Sequence, residues 1–200
     1  MDCTPINRLR LTDAFQDIQK FQTIQSDDDY LIELFEWTDR GTVYVYDDEN
    51  KGHSTYVTDT KGLGADKTLQ ITNPTHKDLF LWHIDGVLYK RDSKCDCAFL
   101  TDTDLGFVEF KANAANESQA AIKANYEKAS SQLLLTFNDI DQRCKKIGID
   151  MCKVVTVEAY AVFNRTVPKN NAHKKNISRK FLKATNERVL LTFCNQVTIN

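Results

Sequence analysis

The chain has 200 residues, of which 42% are hydrophobic, and this length and composition suit one globular domain or a core with an added N-terminal region. No apolar run is long enough to span a bilayer, and residues 1–15 lack the apolar segment of a signal peptide. We therefore expect a cytoplasmic protein with no membrane partner. Six cysteines in such a chain do not indicate a disulfide framework.

Charge is distributed unevenly along the chain. Residues 1–50 hold twelve acidic and four basic side chains, a net of −8, whereas residues 143–200 hold twelve basic and three acidic side chains, a net of +9. The basic region suits the phosphate backbone of DNA or RNA. Alternatively, the acidic half could dock on the basic half of a second copy, forming a homo-oligomer, or meet a protein partner.

The N-terminal third is predicted to be helical at first and β-rich afterwards. Apolar spacing predicts a helix over residues 9–25, and a second short helix is expected over residues 30–37. Glu33 and Glu36, on that second helix, are candidates for an additional metal-site carboxylate, although an exposed acid is the simpler interpretation of each. β-Branched and aromatic residues then predict a hairpin over residues 42–58.

A short strand is expected over residues 68–72, and Asn73-Pro74 would end it. Residues 78–84 and 87–89 flank Asp85-Gly86, a dipeptide typical of a two-residue hairpin turn. Asp85 is therefore interpreted mainly as a turn residue, and His83 as a structural histidine of its strand.

The segment CDCAFLTDTDLGFVEFKA, residues 95–112, predicts a hairpin of two short strands around a polar loop of four residues. Side chains two apart in a strand share a face, so this register sets Asp96 opposite Lys111 and Ala98 opposite Glu109. Two carboxylates and an ammonium on an otherwise apolar face are costly unless they pair or hold a cation.

Asp96 and Glu109 can supply oxygen ligands to a hard divalent cation such as Mg²⁺, and Lys111 could orient an attacking water. An acid followed on the next strand by Glu-x-Lys resembles the active-site hairpin of the PD-(D/E)xK nuclease superfamily, which has the restriction-endonuclease-like fold. The resemblance covers roughly residues 78–165. It has two departures: Cys95 stands where the family has proline, and no acid matches the family's upstream helix glutamate.

The resemblance implies a nuclease that depends on Mg²⁺ or Mn²⁺. Asp96 and Glu109 would bind the metal together with the backbone carbonyl of Phe110, and Lys111 would position the hydrolytic water. In the resembled family the helix after this hairpin often offers a polar residue to the site. Gln119 or Lys123 would lie nearest.

The second half of the chain is predicted to alternate helix and strand. Apolar residues at helical spacing predict a long helix over residues 116–147, which Gly148 would end. A β run over residues 153–162 is expected to pair parallel to the strand before that helix. Residues 163–178 are polar and basic without a regular period, which indicates a loop. A short helix over residues 179–185 and one or two strands would follow.

The basic loop supplies the candidate nucleic-acid contacts. A flexible surface loop is an equally good interpretation of the same pattern. The four side chains that could hold a phosphate backbone are Arg165, Lys169, Lys174 and Lys175.

The predicted fold is α/β, with a mixed central sheet, an αβββαβ-type core flanked by helices and a β-rich N-terminal elaboration. Residues 1–67 would form the elaboration and residues 68–200 the nuclease-like core. The predicted function is hydrolysis of phosphodiester bonds in DNA or RNA, which the resemblance places in defence, mobile elements or repair. The alternative is a non-catalytic module of the same fold that binds protein or nucleic acid.

Overall fold

A computed structural model describes residues 4–18, 34–61, 63, 67–89, 93–111, 118–164 and 172–199. Within these ranges the helices are α1 (Thr4–Arg8), α2 (Leu11–Ala14), α3 (Gln119–Lys146), α4 (Met151–Val154) and α5 (Ala172–Ala184). The strands are β1 (Phe35–Thr38), β2 (Thr42–Asp48), β3 (His53–Val57), β4 (Leu69–Thr72), β5 (Leu79–His83), β6 (Cys97–Leu100), β7 (Asp104–Lys111), β8 (Thr156–Phe163), β9 (Leu190–Phe193) and β10 (Gln196–Thr198).

The central sheet has six strands in the order β1-β5-β6-β7-β8-β9. Neighbours from β1 to β7 are antiparallel, whereas β8 runs parallel to β7 and β9 runs parallel to β8. The long helix α3 connects β7 to β8, as a parallel pair requires. The α/β fold with a mixed sheet is therefore confirmed, and so is the parallel pairing across the helix.

A second sheet of four strands, in the order β10-β4-β2-β3, packs on one face of the central sheet. Alternation along β7 sends Val108 and Phe110 into this interface and Phe107 toward the helices on the other face. The apolar residues that the two sheets share are Val43, Val45, Leu69, Ile71, Leu79, Leu81, Cys97, Phe99, Val108, Phe110, Tyr160, Val162 and Ile199. The result is a helical layer, the central sheet and the second sheet, in that order.

The boundary between residues 67 and 68 stays a prediction. Strands from both sides of it share both sheets, because β1 pairs with β5 and β2 pairs with β4.

The long helix confirms the apolar stripe of the sequence. Its N-cap is Ser118, whose side chain accepts a hydrogen bond from the Ala121 backbone at 3.2 Å. At the other end Gly148 adopts φ +81°, and the Ile149 N–H reaches back to Cys144 O at 2.9 Å. The buried face comprises Ile122, Tyr126, Ala129, Leu133, Thr136, Phe137, Ile140, Asp141 and Cys144.

The N-terminal prediction needs correction. The helix expected over residues 9–25 is broken among the described residues, because Arg10 adopts the left-handed conformation and α2 ends at Ala14. Residues 19–33 lie outside the described part of the chain. The helix expected over residues 30–37 is wrong at its end, where Phe35–Thr38 forms β1 and buries Phe35 under the central sheet.

The hairpin expected over residues 78–89 is also wrong in its second half. After β5 the N–H groups of Leu88 and Tyr89 both donate to Ile84 O, at 3.0 and 2.9 Å, and close a compact turn. β5 pairs instead with β1 and β6. Likewise β8 begins at Thr156, since α4 occupies the start of the predicted strand.

Candidate active site

The hairpin of β6 and β7 is tighter than expected. Ala98 pairs with Phe107, so the predicted register is wrong by two residues, and one further step sets Asp96 level with Glu109. The Thr101 hydroxyl causes this difference by accepting hydrogen bonds from the N–H groups that follow it in the turn, at 3.2 and 3.0 Å. A shift of two residues preserves the faces, so Glu109 still lies on the helix side of the sheet, on the same face of β7 as Phe107.

Asp96 is held by backbone contacts at the end of β6. Its Oδ2 accepts a hydrogen bond from the Phe110 N–H at 2.6 Å, and its carbonyl accepts from the N–H groups of Ile84 and Asp85, at 3.3 and 3.1 Å. Burial raises the pKa of the Asp96 carboxyl to about 7, against the hydrogen bond from Phe110 and with a further rise from Asp47. Asp96 therefore titrates near neutral pH.

Glu109 is fully buried on the neighbouring strand. Its Oε1 contacts the Lys111 ammonium, while its Oε2 has no hydrogen-bond partner among the described residues. Burial raises the pKa of the Glu109 carboxyl well above its usual range, Asp96 adds to the rise, and Lys111 opposes it. A buried carboxylate oxygen without a donor is unfavourable unless a proton or a cation compensates it.

Lys111 is positioned from the long helix by a residue that sequence reasoning missed. Its ammonium donates to Gln132 Oε1 at 3.1 Å, and Gln132 Nε2 donates to the Lys94 carbonyl at 2.9 Å. The expected contributors, Gln119 and Lys123, instead line a depression beside α5. One signal was available: Gln132 lies one turn before Thr136, which with Asp141 is polar on a mainly apolar stripe of α3.

The second sheet brings another acid toward the site. Asp47, near the end of β2, has a pKa raised by burial first and by Asp85 second. The sequence predicted a hairpin over residues 42–58, which includes Asp47, and a hairpin turn at Asp85. The structure places both in the electrostatic surroundings of Asp96, and Asp85 also in those of Glu109.

Close backbone packing explains how these turns approach each other. Gly86 has φ +75°, and a Cβ there would collide with the carbonyl oxygen of Gly52 in the β2–β3 turn. Glycine at 86 is thus required by both its conformation and this contact. This contact places the β2–β3 turn of the second sheet beside Asp85.

The predicted nucleic-acid contacts are only partly described. Arg165 and Lys169 lie outside the described residues. Residues 172–178 form the start of α5 rather than a loop, and Lys175 is exposed on it. The ammonium of Lys174 instead lies over the rings of three aromatic residues, and burial lowers its pKa. This corrects the prediction that Lys174 presents its charge to phosphate.

The three residues predicted to form the site thus share one end of the hairpin, with Gln132, Asp47 and Asp85 added by the fold. Comparison with protein-family models, with curated proteins and with solved structures finds no match to this chain. Among the helices of the described residues, none combines the length and apolarity that crossing a membrane would need.

Proposed function

We propose that this protein is a Mg²⁺- or Mn²⁺-dependent nuclease that hydrolyses phosphodiester bonds of DNA or RNA. The observation that carries the proposal is the fully buried Glu109, whose Oε2 has no hydrogen-bond partner among the described residues, together with the half-buried Asp96 and a lysine. Burying a carboxyl group in apolar surroundings costs free energy, and a site for a hard cation is a functional reason to retain it.

The donor set fits such an ion. Asp96, Glu109 and the backbone carbonyl of Phe110 would hold it, all oxygen ligands of the kind that Mg²⁺ prefers. When bound, the ion supplies Lewis acidity toward a phosphoryl oxygen and lowers the pKa of a coordinated water.

The chain itself would orient the nucleophile. Lys111 is held between Glu109 and Gln132, so its ammonium has a defined position from which to hold a water or a phosphate oxygen. Gln132 acts through Lys111 and is a positioning residue. Asp47 and Asp85 would add negative charge that favours a cation in the site.

Nucleic acid is the proposed substrate because of charge. Residues 143–200 carry a net of +9, and Lys175, Arg179 and Lys180 are exposed on α5. Phosphate contacts of this kind bind without reading sequence, so a partner protein would supply specificity.

The ion pair of Lys111 with Glu109 also supports the alternative, a non-catalytic module of the same fold, because it partly neutralises the site without a metal.

A cleavage assay tests the proposal. Plasmid, single-stranded DNA and RNA are incubated with Mg²⁺ or Mn²⁺, and the variants Glu109→Gln and Lys111→Ala are each expected to lose 100-fold or more in rate, about 2.7 kcal/mol or more of barrier. Lys128→Ala, an exposed lysine on α3, is the matched control and keeps full activity.

The outcomes separate the two functions. Cleavage that persists in both variants would contradict the assignment of this site. A folded wild-type chain that cleaves no substrate with either metal, yet binds nucleic acid, would favour the non-catalytic module. Circular dichroism and thermal melting establish that each variant is folded.

A further inference from the structure

A second group of ligand-type side chains lies away from the candidate active site. Glu36 on β1, His53 on β3 and His83 on β5 place one potential ligand atom each within 4.8 Å of one another. The imidazole rings of the two histidines are 4.3 Å apart between centroids, and His83 is buried. Two of the three residues belong to the central sheet and one to the second sheet.

This group is distinct from the carboxylate pair. Alternation along β5 puts His83 on the same face as Leu79 and Leu81, which pack between the two sheets. Glu109 lies on the opposite face of the central sheet, toward the helices, with Leu105 and Phe107.

A hydrogen bond to one ring nitrogen of His53 leaves the other nitrogen available to bind a metal ion. Its Nδ1 lies 2.9 Å from the Ser54 carbonyl oxygen, which can only accept, so Nδ1 carries the hydrogen. In the neutral ring Nε2 then has a lone pair directed away from that carbonyl. A ligating histidine commonly has its second nitrogen fixed by a carbonyl in this way.

The carboxylate of Glu36 is oriented in a comparable manner. The Thr55 hydroxyl lies 2.7 and 2.9 Å from its two oxygens, and the Lys51 ammonium donates to that hydroxyl at 3.0 Å. His83 Nε2 lies 3.7 Å from Glu36 Oε1, too far for a hydrogen bond. Two ligands about 2.0 Å from one tetrahedral ion are about 3.3 Å apart, so small side-chain movements would suffice to enclose an ion.

We propose that Glu36, His53 and His83 bind one Zn²⁺ ion, which joins the edges of the two sheets. Two imidazoles and one carboxylate form a donor set that suits Zn²⁺, whereas Mg²⁺ prefers oxygen ligands alone. Three protein ligands leave a fourth position for water. This inference goes beyond the proposed nuclease and does not depend on it.

Cobalt spectroscopy and thermal melting test the proposal. Full-length protein is freed of metal with a chelator and titrated with Co²⁺. One ion per chain is expected to give the visible bands of a tetrahedral site without a thiolate charge-transfer band, and Zn²⁺ is expected to displace it. At a Zn²⁺ concentration 100-fold above Kd, the melting temperature should rise by roughly 5–10 °C.

Matched variants locate the ion. Glu36→Gln and His53→Gln should each weaken Zn²⁺ binding at least 10-fold, and both residues are partly exposed, so folding is expected to survive. His173→Gln alters a histidine that lies 3.5 Å from Glu127 on other elements and should leave binding unchanged. Asp96→Asn combined with Glu109→Gln should also leave it unchanged.

Three results would overturn the proposal. One is the absence of Co²⁺ and Zn²⁺ binding to folded wild-type protein. The second is full binding by both Glu36→Gln and His53→Gln. The third is binding that disappears only in the variant of Asp96 and Glu109, which would assign the ion to the candidate active site instead.

Discussion

Because of burial and nearby like charges, the Asp96 carboxyl keeps its proton up to a higher pH than an ordinary aspartate does. The pKa of its carboxyl is raised from 3.8 to about 7, with burial as the largest cause. The folded protein therefore keeps a proton that the unfolded chain releases from about pH 4 upward. This stabilising contribution is fully present below pH 4 and is lost as pH rises through 7.

Asp96→Asn should therefore stabilise the metal-free protein at pH 8 but not at pH 4. The amide can still accept the hydrogen bond from Phe110, and it needs no proton to be neutral. We expect the melting temperature to increase by a few degrees at pH 8, since one pKa unit corresponds to about 1.4 kcal/mol. Asp102→Asn, in the exposed turn of the same hairpin, is the control.

A lower melting temperature for Asp96→Asn at pH 8 would mean that Asp96 is stabilised as a carboxylate. That result would contradict the sign of the shift. The same variant should bind Mg²⁺ weakly, so a gain in stability would accompany a loss of activity, as is common at active sites.

At the scale of elements, two turns bring separate strands to the site. The turn after β5 carries Asp85 and contacts the turn between β2 and β3, which follows Asp47. Gly86 and Gly52 both have positive φ. Substitutions at the two positions therefore distinguish the cost of backbone strain from the cost of close contact. Only Gly86 meets another backbone where a Cβ would stand.

Gly86→Ala should cost roughly 2–3 kcal/mol of unfolding free energy, while Gly52→Ala should cost about 1 kcal/mol. Both variants suffer the strain of a positive φ, but the side chain at position 52 would meet nothing within 4 Å. Urea denaturation measures both. Equal losses would show that the contact between the turns is not maintained in solution.

At the scale of the whole molecule, the candidate active site lies where three layers meet. The central sheet supplies Asp96, Glu109 and Lys111, the helical layer supplies Gln132, and the second sheet brings Asp47 near them. The basic C-terminal region is part of the same body through α5 and β9, which pack on α3 and β8. Nucleic acid bound to this basic region would therefore be held by the same folded unit that carries the candidate active site.

Lys175→Glu should weaken binding of double-stranded DNA equally for unrelated sequences. If Lys175 contacts one phosphate, the slope of log affinity against log salt should fall by about one unit. Lys128→Glu, an exposed charge reversal on α3, is the control of equal charge change. Identical losses in the two variants would indicate that net charge, and not a contact on α5, governs binding.

The sequence alone was sufficient to predict the face of each strand in the central hairpin and the buried stripe of α3. Both follow from side-chain periods of 2.0 and 3.6 residues, which are local properties of the backbone. For this reason the grouping of Asp96, Glu109 and Lys111 did not depend on the register, which was wrong by two. A shift of two residues does not change a face.

Only the tertiary structure decided which distant residues join that group. Gln132 lies 21 residues after Lys111, and Asp47 belongs to another sheet, so their proximity depends on how layers pack and not on any local period. The same holds for Lys174. It belongs to a polar, basic segment of the sequence, but in the fold aromatic rings cover its ammonium. Pairing with β5 likewise made a strand of residues 35–38, because burial of Phe35 outweighs a weak helical pattern.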